Sequence, residues 1–60
     1  MEELKRLDMV KIKAGYSTHD GAVGKIASIV ETNGLVTEYD VWLPQEKVTV
    51  RLRHFELEKL

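Results

Sequence analysis

The stretch LVTEYDVWLPQEKVTVRLR, Leu35 to Arg53, alternates apolar and polar residues along most of its length. A period of two marks half-buried strands, because successive side chains on a strand leave by opposite faces. Thr37, Tyr39, Val41 and Leu43 share one face, and Glu38, Asp40 and Trp42 share the other. Beyond Pro44-Gln45, Val48, Val50 and Leu52 continue the inner face while Lys47, Thr49, Arg51 and Arg53 point outward. Proline pre-sets the backbone for the first central position of a turn, so the stretch predicts a hairpin. A two-residue turn pairs Glu38 with Arg51; a four-residue turn keeps the same facing and pairs Asp40 with Arg51. A slip by one residue would carry charges into the core.

The pattern extends in both directions. Upstream, Asn33-Gly34 is the pair a type I′ turn demands, since both central residues need positive φ. Before it, KIASIVE is apolar on both faces at Ile26, Ile29 and Val30, which predicts a strand that is bent or covered on both sides. In MVKIKAG, Val10 and Ile12 point one way and Met9, Lys11 and Lys13 the other. Downstream, His54-Phe55 predicts one tight helical turn capped by His54, and Leu57 to Leu60 a last short strand. The start, MEELKRL, predicts a turn of helix with Met1, Leu4 and Leu7 along one side, plugging an open end of the sheet. Together these predict an all-β domain: a small closed sheet of five strands with one short 3-10 turn before the last. The domain spans residues 8–60, behind a short N-terminal extension at residues 1–7.

One segment suggests different chemistry. GYSTHDGAVGK, Gly15 to Lys25, is glycine-rich and ends in lysine, like a phosphate cradle. In the spacing G-x-x-x-x-G-K-[ST], however, the first glycine falls on His19 and the magnesium-binding hydroxyl on Ile26. A dinucleotide fingerprint fails at the same His19, and a strand follows Lys25 where both motifs need a helix. The glycines are better explained by the backbone. Gly15 and Gly21 let a loop leave and re-enter a curved sheet, and Gly24 permits a bend or a close approach where the second strand begins.

Composition narrows the functional classes. The chain has 60 residues with 9 Lys and Arg against 10 Asp and Glu, a net charge of −1, and no cysteine. Near-neutral charge counts against a dedicated nucleic-acid binder. The lack of cysteine excludes disulfides and thiolate metal sites and accords with a reducing cytosol. No apolar run approaches the ~18 residues of a membrane span, and the charged start lacks the apolar heart of a signal peptide. A cytoplasmic chain without membrane insertion is expected. His19 and His54 lie far apart in sequence, so no metal is expected. Ser17 and Ser28 have no neighbouring base, and a pocket of ~300 Å³ is hard to carve from so short a chain. Neither catalysis nor a cofactor is expected.

The segments DMVKIKAG, GAVGKIASIV, YDVWL and VTVRLRHFELEKL resemble the SH3-like barrel superfamily over residues 8–60. VKIKAGYSTHDGAVGKI is similar to the KOW motif, with a loop between Gly15 and Gly21 about two residues longer than usual in that motif. The ending looks like the close of the small SH3-like accessory proteins of photosynthetic electron-transfer complexes, that of photosystem I among them. The resemblance implies a binding surface around the loop that holds Tyr16 and His19.

Two functional surfaces follow. Trp42 stands on an outward face beside Lys47, Thr49, Arg51 and Arg53. A tryptophan among arginines is the composition of a protein-docking hot spot, with Tyr16 and His19 at its margin. Alternatively, Lys11, Lys13, Lys25, Lys47, Arg51 and Arg53 contact phosphates of RNA or a single strand while Trp42 or Tyr16 stacks on bases. Pairing of two copies through Trp42 is a third arrangement. A structural alternative needs no partner: Trp42 packs under the N-terminal segment while Glu38 or Asp40 neutralises Arg51 across the strands.

Overall fold

Five strands and one 3-10 turn follow each other in a computed structural model that describes residues 3–15 and 18–60. The strands are β1 (Met9–Ile12), β2 (Val23–Thr32), β3 (Leu35–Leu43), β4 (Val48–Leu52) and β5 (Leu57–Lys59), with the turn η1 at His54–Glu56. All pairings are antiparallel, in the order β4-β3-β2-β1-β5, an arrangement compatible with an SH3-like fold. The sheet is not closed as the alternation predicts. No ladder joins β4 to β5, because only Arg53 and the three residues of η1 link them and β5 itself has three residues.

The β3–β4 hairpin takes the four-residue turn. Val41 pairs with Val50, Asp40 with Arg51 and Tyr39 with Leu52. Lys47 closes the turn at φ 58°, its N–H donating to the Leu43 carbonyl at 2.8 Å. Tyr39, Val41, Leu43 and Leu52 are buried and Val50 packs against them. Val48, read as inward, is exposed instead, since it opens an edge strand next to the turn.

β2 is bent by an irregularity that explains its two-sided apolar pattern. Ile26 faces Val41 and Ser28 faces Asp40, so Ala27 is an extra residue opposite one step of β3. Such a bulge resets the parity of the strand. Ile26 and Ile29, three apart in sequence, therefore face Val41 and Tyr39, both of which point inward. The hairpin closes at Asn33 and Gly34 with φ of 53° and 79°, as a type I′ turn requires. Gly24 serves close approach: a Cβ there would collide with the Trp42 carbonyl oxygen and come within 2.8 Å of Leu43 Cδ2.

The core consists of Leu4, Val10, Ile12, Ile26, Tyr39, Val41, Leu43, Leu52 and Leu57, with no buried polar side chain among the described residues. Leu4 does plug the sheet, but not from a helix. Lys5 to Asp8 form a reverse turn, in which the Asp8 N–H donates to the Lys5 carbonyl at 3.1 Å and the Lys5 N–H to Asp8 Oδ2 at 2.9 Å. Leu7 sits in that turn at φ 75° and is 64% exposed, so no Leu4–Leu7 stripe forms; Met1 lies outside the described residues. Hydrogen bonds from Leu7 N–H to the Ile26 carbonyl and from Ile26 N–H to the Asp8 carbonyl fasten the segment to β2.

Candidate interaction face

The outer face of the sheet is built from rows of residues that the ladders place side by side. Met9 pairs with Lys25, Lys25 with Trp42, and Trp42 with Thr49, forming one row across four strands. Trp42 occupies the middle of this row and is 40% exposed. Met9, in the same row, and Val23, next to it on β2, are exposed to a similar degree. The tryptophan thus has apolar neighbours as well as charged ones. Alternation marks Met9, Trp42 and Thr49 as outward; their adjacency, and the place of Lys25 and Val23 beside them, depends on the start of β2 and on the register between strands.

The next row toward the β2–β3 turn is a polar network. Arg51 Nε donates to Asp40 Oδ1 at 2.9 Å and Nη2 to Oδ2 at 3.4 Å, while Ser28 Oγ donates to Oδ2 at 2.8 Å. The Arg51 and Ser28 hydrogen bonds hold the Asp40 carboxyl below its ordinary pKa, and Asp40 in turn raises that of Arg51. Cross-strand neutralisation of Arg51 is therefore real, and Asp40 is the residue that does it. On the other side of the Trp42 row, Lys11 pairs with Val23 and with Glu58.

The remaining candidate residues are dispersed. Lys47 is exposed in the β3–β4 turn, at the end of β3 that carries Trp42. Arg53 lies past the end of β4, its guanidinium carbon 6.0 Å from the centre of the Phe55 ring. Its N–H donates to Glu56 Oε1 at 2.8 Å, so Glu56, and not His54, secures the start of η1. His54 instead places its ring 6.1 Å from that of Tyr39, whose hydroxyl pKa is raised by burial and by the charge of Glu3. Lys13 follows β1 near η1, its N–H bonded to the Glu56 carbonyl. His19 is half-buried in the β1–β2 loop, where its carbonyl accepts the Ala22 N–H; Tyr16 lies outside the described residues.

The structure thus gathers Lys11, Lys25, Trp42 and Arg51 on one face with Met9 and Val23, and leaves Lys13 and Arg53 near η1. Among the described residues, no three His, Asp or Glu side chains are grouped to hold a metal ion, and no helix is long and apolar enough to cross a membrane. No family model, curated protein or solved structure matches the chain, and the face stands on its own geometry.

Proposed function

We propose that this chain is a non-catalytic interaction module that docks on a protein partner through the face centred on Trp42. The observation that carries the proposal is the row Met9–Lys25–Trp42–Thr49, in which a half-exposed indole sits among apolar and charged side chains. A tryptophan anchor within a mixed rim is the usual makeup of an interface hot spot. Charge favours a protein over a nucleic acid. Arg51 is engaged by Asp40 and Lys11 stands opposite Glu58, so two of the cations near Trp42 already have anionic neighbours. The likeness of the ending to photosynthetic accessory proteins fits the same role, a small accessory domain within a larger complex, whereas the KOW-like loop belongs to the alternative, a KOW-type module binding RNA or a single strand.

The test is co-purification from the native host with wild-type chain, Trp42→Ala and the distant control Glu31→Gln. Loss of one defined partner from Trp42→Ala alone, with the circular dichroism spectrum unchanged, is the expected result. Equal recovery by all three chains would remove the face from the proposal. A titration with mixed RNA, followed by the fluorescence of the single tryptophan, addresses the nucleic-acid alternative. Tight binding whose logarithm falls with log salt at about −0.7 per phosphate contacted would replace a protein partner with a nucleic acid.

A further inference from the structure

A cavity of about 460 Å³ opens at the end of the sheet between the N-terminal segment, η1 and β5. That volume lies within the roughly 300–1,000 Å³ range of small-molecule sites. It was not expected of so short a chain, and its lining comes from the N-terminal segment, Lys13 just past β1, η1 and β5. We propose that this cavity binds a small aromatic or aliphatic carboxylate, separately from the Trp42 face.

The apolar part of such a ligand has a floor to rest on. Leu4 and Leu57 line the cavity and are each 4% exposed, so they form a fixed surface belonging to the core. Phe55 lines it as well and is half-exposed, leaving ring surface to cover. Burying the carbon skeleton of a ligand against these three side chains is favourable at about 25 cal/mol per Å² of apolar area.

The rim selects the charge. Two ammonium groups, Lys13 and Lys59, and one carboxylate, Glu58, belong to the lining, which leaves it one positive charge. Just outside, Asp8 Oδ2 faces Lys59 Nζ at 3.7 Å and Lys11 stands opposite Glu58 in the ladder, so these two neighbours offset each other. Arg53, beside Phe55, adds a positive charge at the edge, which the Glu56 carboxylate held by the Arg53 N–H offsets, and Glu3, next to Leu4, acts on Tyr39 beside His54. A lining of net charge +1 suits a monoanion. No guanidinium fork lines the cavity to grip the several oxygens of a phosphate, whereas lysine offers a point charge to a carboxylate. The His54 imidazole completes the polar rim.

The experiment compares two probes with the same ring system and opposite charge, 2-naphthoate and 2-naphthylmethylammonium, by NMR titration of the labelled chain. The expected outcome is saturable binding of naphthoate with shifts concentrated at Leu4, Leu57, Phe55 and His54. The ammonium probe should bind at least about tenfold more weakly, a difference of roughly 1.4 kcal/mol. Lys13→Glu should weaken naphthoate by at least a similar factor without unfolding the chain, since Lys13 is exposed. Trp42→Ala should leave naphthoate binding unchanged, so that failure here and failure of the docking face are told apart. Equal affinity for the two probes, shifts centred on Trp42, or no saturation at millimolar naphthoate would each overturn the proposal.

Discussion

A single missing methyl group sets how closely β2 and β3 approach at Gly24. An added Cβ would meet the Trp42 carbonyl oxygen, Leu43 Cδ2 at 2.8 Å and Val41 Cγ1 at 2.9 Å, and backbone and buried core side chains yield little. Gly24→Ala should therefore destabilise by about 1–3 kcal/mol, the usual cost of overpacking. Thermal denaturation would register it as a fall of roughly 4–8 °C per kcal/mol in a domain of this size. An unchanged melting temperature would mean that the two strands leave room for a methyl group at this point. Asp40 carries a second prediction at this scale. Hydrogen bonds from Arg51, then Ser28, lower its pKa in the folded state. Its contribution to stability is thus present above the unfolded-state value of about 3.9 and is lost as pH falls through the lower folded-state value. Carbon-detected NMR titration should place the Asp40 midpoint below ~3.9, and Arg51→Ala should move it upward. A midpoint at the ordinary value in the wild-type chain would show that the ion pair does not persist in solution.

Turn chemistry dominates among the elements, and the β2–β3 hairpin shows it most directly. Gly34 sits at φ 79° with open space around its Cα, so the cost of a side chain there is backbone strain alone. Gly34→Ala should cost about 1–2 kcal/mol, the penalty for an L-residue in the left-handed region. Gly34→Asn, which tolerates that region better, should recover part of the loss, measured by urea unfolding; equal stability of all three chains would argue against the type I′ turn. This hairpin is legible in the sequence because Asn33-Gly34 states its own geometry. The inner face of Tyr39, Val41 and Leu52 is legible for a related reason, since period-two alternation is a local property. The Ala27 bulge is not. An inserted residue changes parity only relative to the partner strand, so KIASIVE reveals that something bends without saying where. The candidate face divides along the same line. Trp42 and Arg51 are readable as outward, whereas the nearness of Met9 to Trp42 depends on register across two ladders. Arg53 leaves the face because η1 ends the alternation just past Leu52.

For the whole molecule, the question is how a 60-residue chain with an unclosed sheet keeps a core at all. Typical stabilities of roughly 0.05–0.15 kcal/mol per residue give a domain of this length only about 3–9 kcal/mol in total. Among the described residues, Leu4 is one of nine buried hydrophobic side chains, and the only one contributed by the segment before β1. Truncating a buried leucine to alanine costs about 2–5 kcal/mol, so Leu4→Ala should remove much of the stability and leave part of the population unfolded at room temperature. Leu7 separates this account from the helical one. In a helical stripe, Leu4 and Leu7 would both pack inward and both substitutions would destabilise. In the reverse turn, Leu7 is exposed at φ 75°, and Leu7→Gly exchanges left-handed strain for a residue at ease there. Relief of about 1–2 kcal/mol of strain outweighs or matches the roughly 0.5–1 kcal/mol of extra unfolded-state freedom that glycine brings. Leu7→Gly should therefore be neutral or stabilising while Leu4→Ala is strongly destabilising, both measured by urea denaturation at one temperature. Comparable destabilisation by the two would restore the helical stripe and move the N-terminal segment off the turn that now fastens it to Ile26.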